Sequence, residues 1–166
     1  MSSYGLDPKH FVLHVIRPAL TRIQRWSPEA EVLVLGTALH ESELRWLFQR
    51  PNGPAMGLFQ MEPSTHSDCW QNWLRYPVNA DLRNAVMRTA SYYSGDYPDP
   101  GEMRFNFLYA AAMCRVKYLR AQPPLPVRND AAGMAAYHKN FYNSPKGKTK
   151  VDESIRHFEF AINLEV

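Results

Sequence analysis

The chain has 166 residues, of which 45% are hydrophobic and 21% are charged, and its formal net charge is +3. This length fits one domain, residues 1–166, and the composition excludes a disordered or fibrous protein. Only "PKGKTK" (145–150) is locally basic, so the charge does not favour a nucleic-acid partner.

No apolar stretch is long enough to cross a membrane, so we expect no membrane partner. The first residues lack the basic start, apolar run and cleavage site of a signal peptide. We therefore expect synthesis in the cytoplasm and export by another route. Cys69 and Cys114 lie beside apolar residues, and two cysteines are too few for a disulfide framework. Both are predicted to be buried free thiols.

Helix start and stop signals predict six helices. The first begins at Asp7 and bends near Pro18. The second begins at Ser27, and its residues 32–39 are apolar nearly all round, as in a central buried helix. The other four are predicted over 79–95, from 99 to the "PPLP" stop at 123–126, over 130–142, and over 149–162.

The last predicted helix begins with a capping pair, Thr149 and Asp152. In contrast, "RPNGPAMG" (50–57) has no periodicity and is predicted to be a loop. Strand signals are poor throughout the chain. We therefore predict a single, mainly α domain.

The stretch "ALHESELRW" (38–46) places Glu41 in a run that is otherwise typical of a packed helix. His40-Glu41 resembles the start of an H-E-x-x-H zinc helix, which needs a second histidine one turn later. Position 44 is Leu44, so this motif is incomplete.

Two other local groups contain metal-ligating residue types. His10 and His14 are spaced by one helical turn, but no third ligand lies nearby in the sequence. The "HSDC" segment (66–69) has no partner cluster. We expect surface histidines in the first case, and we predict no metal and no cofactor.

Three blocks of the sequence carry a resemblance to a known family. "HES" is followed by "GPAMGLFQMEPST" (53–65) and, far downstream, by "FYNSPKG" (141–147). These blocks resemble the lytic transglycosylase and goose-type lysozyme superfamily, whose blocks are E-S, G-L-M-Q-x-x-P-x-T and A-Y-N-A-G. The residues of the second and third blocks are most similar to those of short phage-encoded members of this superfamily. The chain departs from the pattern at Leu44, usually aromatic, at Glu62, usually apolar, and in the third block, which keeps only the tyrosine and asparagine.

The resemblance implies a lysozyme-like fold with a substrate cleft and cleavage of the MurNAc–GlcNAc β-1,4 bond. It implies a transglycosylase, with lysozyme-type hydrolysis as the second choice, acting on peptidoglycan glycan strands in the periplasm or cell wall. The alternative is a non-catalytic structural or wall-binding virion component, whose partners would include other virion proteins. The implied catalytic acid and base is Glu41, and the expected substrate-binding residues are Ser42, Gly57, Gln60, Tyr142 and Asn143.

To protonate a glycosidic oxygen near neutral pH, a carboxyl must still hold its proton, and apolar surroundings favour this. The sequence around Glu41 predicts such surroundings. Hydrolases of this kind often use a second carboxylate, either to attack or to activate water, and Glu43, Glu62 and Asp68 are the candidates. Glu43 lies two residues along the predicted helix and so faces elsewhere, whereas the sequence does not place the other two. We therefore favour a mechanism with one glutamate.

Aromatic side chains can stack on sugar rings, although core or surface packing is the preferred interpretation for each one taken alone. The candidates are Trp70, Trp73, Tyr92, Tyr93 and Tyr142.

Overall fold

The computed structural model describes residues 4–143 and 150–166, and the prediction of a mainly α protein is confirmed. The helices are α1 Pro8–Phe11, α2 Arg17–Arg22, α3 Pro28–Ser42, α4 Pro63–Cys69, α5 Ala80–Met87, α6 Glu102–Phe105, α7 Phe107–Leu119, α8 Ala131–Phe141 and α9 Val151–Asn163. A π-helical turn, Trp70–Leu74, extends α4, and a 3-10 turn, Pro77–Asn79, precedes α5. The described residues contain no strand, only isolated bridges that join Met56 to Phe48 and to Met61.

Three helices begin where their capping residues predict. Asp7, Ser27 and Asp130 each accept a hydrogen bond from the backbone N–H three residues later, at 2.8, 3.1 and 2.8 Å. Such a bond satisfies one of the unpaired N–H groups at a helix start, which explains why these short polar side chains set the boundaries.

A π-helical turn, Val12–Ile16, joins α1 to α2 directly before Pro18. Here the N–H of Arg17 bonds the carbonyl of Val12, five residues back instead of four. Proline has no N–H, and its ring crowds the carbonyl four residues earlier in a regular helix. The wider turn accommodates the proline that the sequence predicts will disturb this helix.

Helix α3 runs through the centre of the hydrophobic core, as predicted, and every residue from Val32 to Leu39 is buried. Its main partner is α9, and it also contacts α7 and α8. A side chain at Gly36 would place its first carbon 2.2 Å from the Phe158 ring, so glycine permits the close approach of α9. This packing holds the C-terminal end of α3 firmly in place.

Cys69 and Cys114 are buried free thiols, as predicted. Burial raises the pKa of both thiols, so neither forms a thiolate readily.

Among the described residues, no helix has the length and apolar character required to span a membrane.

The prediction of a helix over 79–95 is wrong in its second half, because α5 ends at Met87 and Gly95 lies in an irregular segment. The buried carboxylate of Glu102 accepts hydrogen bonds from the backbone N–H groups of Ser91 and Tyr92, at 3.2 and 3.1 Å. These long-range bonds satisfy the backbone outside a helix, and sequence periodicity does not reveal them.

Three further differences concern the helices. The predicted fourth helix is divided into α6 and α7 at Asn106, whose side chain accepts a bond from Tyr109 N at 3.1 Å and caps α7. Helix α4 and its π-helical extension were not predicted. Helix α9 begins at Val151, and Thr149, half of the predicted capping pair, lies outside the described residues.

Candidate active site

Glu41 lies in the last turn of α3, where the buried helix reaches the surface. The helix ends because Glu43 and Leu44 adopt left-handed backbone conformations, with φ of 52° and 54°. The Glu41 side chain is 16% exposed, whereas Leu39 is fully buried. Its carboxyl therefore stands at the edge of the core and still reaches solvent.

The segment from Gly57 to Gln60 forms a tight turn. Gly57 has φ of +72°, and a Cβ at this position would lie 2.1 Å from the carbonyl oxygen of Met103. The carbonyl of Gly57 accepts the backbone N–H of Gln60 at 3.0 Å and its side-chain amide at 2.8 Å. Gly57 thus has a structural reason to be glycine, and Gln60 uses its amide nitrogen within the turn.

Three hydrogen bonds bring together the blocks that the sequence separates. Ser42 Oγ donates to the carbonyl of Leu58 at 2.7 Å. Tyr142 OH donates to the carbonyl of Phe59 at 2.7 Å, and Asn143 Nδ2 donates to Glu41 Oε1 at 3.3 Å. The predicted site residues therefore form one connected group.

Ser42 and Tyr142 were expected to bind substrate, but in this structure they support the turn from two sides. They are 1% and 3% exposed, and their hydroxyls are occupied by the backbone carbonyls just described. Asn143 and Gln60 are partly exposed and remain suited to direct contact.

A groove of about 320 Å³ lies beside this group. Its lining residues are Gln60, Met61, Glu62, Thr65, Lys117, Tyr142 and Asn143. Lys117 Nζ donates to the carbonyl of Tyr142 and lies 4.4 Å from the centre of that ring. Burial lowers the pKa of Lys117. The groove thus combines amide, carboxylate and amino groups, and Asn143, which lines it, also contacts Glu41.

The three possible second carboxylates have different surroundings. Asp68 bonds Asn72 and Arg120, both at 2.6 Å, and these contacts lower its pKa. Glu43 faces a separate depression between α3 and α9, which agrees with the prediction that it points elsewhere. Glu62 lines the same groove as Gln60 and Asn143. Glu62 is therefore the one of the three that the fold brings to the site.

The aromatic candidates are spread over the molecule. Trp70 is buried and stacks on Tyr97, with ring centres 5.7 Å apart, beside a separate groove of about 520 Å³. Tyr92 and Tyr93 are exposed. Trp46, which was not among the predicted sugar-stacking residues, is 38% exposed, and its carbonyl lies 3.4 Å from Gln60 Nε2. The Arg50 guanidinium lies 4.2 Å from the centre of the Trp46 ring, so one face of this ring is covered.

A histidine that the sequence analysis missed contacts Glu41 directly. His138, on α8, is fully buried, and its Nε2 lies 3.0 Å from Glu41 Oε1. Its Nδ1 lies 2.9 Å from the hydroxyl of Tyr118, which lies 2.7 Å from Thr37 Oγ1. One histidine in "AAYHKNF" carries no local signal, because only the packing of α8 against α3 brings it to Glu41.

His40 stands beside this pair, with its ring centre 5.3 Å from that of His138. Burial and the neighbouring His138 lower the pKa of His40. One ligand atom from each of His40, Glu41 and His138 lies within 4.8 Å of the others, so the trio has the donor types of a transition-metal site. His40, set aside with the incomplete zinc motif, therefore gains a neighbour from a distant helix.

The other candidate ligands are used elsewhere. His10 and His14 are both exposed on the first helical segment, as predicted. His66 Nε2 bonds the hydroxyl of Tyr109 at 2.6 Å inside the core, while Asp68 is paired with Arg120. The "HSDC" residues are thus individual packing and pairing groups.

Comparisons with protein families, curated proteins and solved structures found no match to this chain.

Proposed function

We propose that this protein cleaves peptidoglycan glycan strands at the MurNAc–GlcNAc β-1,4 bond, within a lysozyme-like fold, and that Glu41 is its general acid and base. The observation that carries the proposal is that Asn143 contacts Glu41 directly while Ser42 and Tyr142 bond the turn that contains Gln60. Residues 41–42, the turn 57–60 and residues 142–143 are joined by direct hydrogen bonds. These are the three blocks that resemble lytic transglycosylases.

The surroundings of Glu41 suit a proton donor. It combines a largely enclosed carboxyl with access to solvent, since 16% of its side chain is exposed. This access allows a glycosidic oxygen to approach the carboxyl.

In the first step, the Glu41 carboxyl gives its proton to the glycosidic oxygen as the bond from that oxygen to the MurNAc anomeric carbon breaks. The GlcNAc oxygen leaves as a hydroxyl, and positive charge develops on the MurNAc ring. In the second step, the 6-hydroxyl of the same MurNAc attacks the anomeric carbon. Its proton goes to the Glu41 carboxylate, which regenerates the acid and releases a 1,6-anhydro product.

The groove beside Glu41 has the polar groups that an amino-sugar polymer requires. Gln60 and Asn143 carry amides that can pair with hydroxyl and N-acetyl groups, and Glu62 lines the same groove. These features favour a glycan over an apolar ligand.

The test is the clearing of purified cell-wall sacculi by wild type, Glu41→Gln and Glu43→Gln. Glu43 is the matched control, because it is two residues away and faces a different depression. We expect Glu41→Gln to lose about 100-fold or more of the activity and Glu43→Gln to stay within about twofold. Equal clearing by wild type and Glu41→Gln would refute the proposal, and binding without clearing would support the structural alternative.

Mass spectrometry of the products separates the two chemistries. A transglycosylase leaves an anhydro end that is lighter by one water than a hydrolysed end. Glu62→Gln should retain activity if Glu41 acts alone, although Glu62 shares the groove. Reducing ends only, together with inactive Glu62→Gln, would instead indicate hydrolysis with a second carboxylate.

A further inference from the structure

Two histidines and a glutamate meet at the C-terminal end of α3. His40 and Glu41 are neighbours in its last turn, and His138 approaches them from α8. One ligand atom from each of the three lies within 4.8 Å of the other two, and His138 Nε2 is 3.0 Å from Glu41 Oε1. Two imidazoles and one carboxylate are a common ligand set for zinc.

The spacing of these atoms is close to that of a tetrahedral site. Zinc holds nitrogen and oxygen ligands at about 2.1 Å, so two ligands of a tetrahedral ion are about 3.4 Å apart. His138 Nε2 and Glu41 Oε1 therefore need to separate by only about 0.4 Å. The ring nitrogen of His40 needs to approach by at most about 1.4 Å, and this side chain is only partly buried, so it has room to turn.

A chain of hydrogen bonds behind His138 leaves its Nε2 available as a ligand. Thr37 Oγ1 donates to the carbonyl of Leu33 at 2.8 Å, so it accepts from Tyr118 OH at 2.7 Å. The Tyr118 oxygen in turn accepts from His138 Nδ1 at 2.9 Å. Nε2 then has a lone pair, which agrees with the Asn143 amide nitrogen 3.2 Å away, a group that can only donate. Metal-binding histidines are commonly held in this way through the other ring nitrogen.

His40 adds a ring with an unused nitrogen and a route for the ion. Its Nδ1 is buried and has no hydrogen-bond partner among the described residues, so the ring can turn without breaking a bond at this atom. His40 also lines a depression of about 360 Å³. The charged groups in the wall of this depression are the carboxylates of Glu43, Asp152 and Glu153 and the guanidinium of Arg156. Their excess of negative charge favours the entry of a cation.

We propose that His40, Glu41 and His138 bind one zinc ion, and that this ion inhibits the protein by occupying Glu41. The inhibition rests on the proposed function, whereas zinc binding does not. The proposed first step requires a proton on the Glu41 carboxyl, and a carboxylate must lose its proton to bind zinc. Zinc binding and proton donation therefore exclude each other, and removal of the ion restores the acid.

The first test measures zinc binding and does not depend on activity. Protein without an affinity tag is treated with EDTA, freed of the chelator and titrated with zinc in a calorimeter. The variants are His40→Gln, Glu41→Gln and the double variant His10→Gln with His14→Gln. The double variant is the matched control, because His10 and His14 form an exposed histidine pair with ring centres 5.5 Å apart. We expect one ion per wild-type chain, binding weaker by at least about 10-fold in the first two variants, and unchanged binding in the control.

Three outcomes would overturn the zinc site. These are a wild type that binds no zinc, unchanged binding in a folded His40→Gln or Glu41→Gln variant, and loss of binding in the control. Circular dichroism checks the folding of each variant. Both substituted groups lie at the edge of the core, so either variant decides the matter if the other is unfolded, and the wild type and the control decide it if both are.

The second test adds zinc to the sacculus-clearing assay. At about ten times the dissociation constant, about nine-tenths of the sites are filled, so clearing by metal-free wild type should fall about 10-fold and return with excess EDTA. His40→Gln, compared with itself without zinc, should need at least about 10-fold more zinc for the same inhibition. Full clearing by zinc-saturated wild type, clearing only in the presence of zinc, or equal inhibition of both proteins would overturn the inhibitory role. A wild type inactive both with and without zinc would refute the proposed function instead, and the titration would still decide the zinc site.

Discussion

The hydroxyl of Tyr142 provides a prediction that links stability to the site. It donates to the carbonyl of Phe59 at 2.7 Å, in a region where both residues are buried. Tyr142→Phe removes one oxygen atom and leaves that carbonyl buried without its partner. An unsatisfied buried acceptor costs about 1–3 kcal/mol, and 1 kcal/mol lowers the melting temperature of a chain of this size by about 2–4 °C. We therefore expect a fall of about 2–12 °C.

Tyr137→Phe is the matched control, because Tyr137 OH also donates to a backbone carbonyl, that of Pro123, at 2.9 Å. Pro123 is exposed, so water replaces the lost hydrogen bond and the free energy of unfolding should fall by about 1 kcal/mol or less. The two variants differ in what their carbonyl partners support. The Phe59 carbonyl belongs to the turn that positions Gln60, whereas the Pro123 carbonyl belongs to a surface connection.

The assays are urea and thermal unfolding followed by circular dichroism, and sacculus clearing at a temperature where both variants remain folded. We expect Tyr142→Phe to lose more stability than Tyr137→Phe and to be the only one with reduced clearing. Equal stabilities, or equal activities in two folded variants, would contradict the assignment of Tyr142 as a support for the turn.

Three further predictions concern stability and metal dependence. Gly57→Ala should lower the free energy of unfolding by about 1–3 kcal/mol because of its left-handed backbone, and the clash of the new Cβ with α6 should lower it further. Gly95→Ala is the control, because no atom lies within 4 Å of a Cβ there, and it should change the free energy of unfolding little. Urea midpoints measure both variants, and similar values would contradict this explanation from packing. Burial lowers the pKa of His66 and of His157 to about 4, so between about pH 6.5 and 4 the unfolded chain binds protons that the folded chain does not. Stability should therefore fall on acidification, by up to about 3 kcal/mol for His66 and by less for His157, which is less deeply buried. Unchanged urea midpoints at pH 7 and 4.5 would disprove this. Treatment with EDTA should not lower sacculus clearing, because proton transfer by Glu41 needs no metal; a loss that zinc restores would show instead that bound zinc takes part in the reaction.

The local signals in the sequence predicted those helices whose ends depend on neighbours in the chain. Asp7, Ser27 and Asp130 cap helices through bonds that reach only three residues, so residue type and spacing suffice. The end of α5 could not be found in this way. After this end, the backbone N–H groups of Ser91 and Tyr92 donate to the carboxylate of Glu102, which lies about ten residues further along the chain.

The same division applies to the site. The residue pattern alone predicted the central buried helix that carries Glu41 and the aperiodic loop over 50–57, because periodicity acts locally. The tight turn from Gly57 to Gln60 was found only in the fold. The sequence also indicated Asn143, through a resemblance of motifs. Only the tertiary structure decided that Ser42 and Tyr142 hold the turn through backbone carbonyls.

The tertiary structure also decided which charged and titratable groups surround Glu41. In the fold, Asp68 pairs with Arg120, Glu62 lines the groove, and His138 Nε2 lies 3.0 Å from the carboxyl of Glu41. Each of these outcomes depends on the packing of helices that are distant in the chain. Such packing is determined by the whole hydrophobic core and not by any short stretch of sequence. Residue type therefore indicated Glu41 as the acid, whereas the residues around it were determined by the fold.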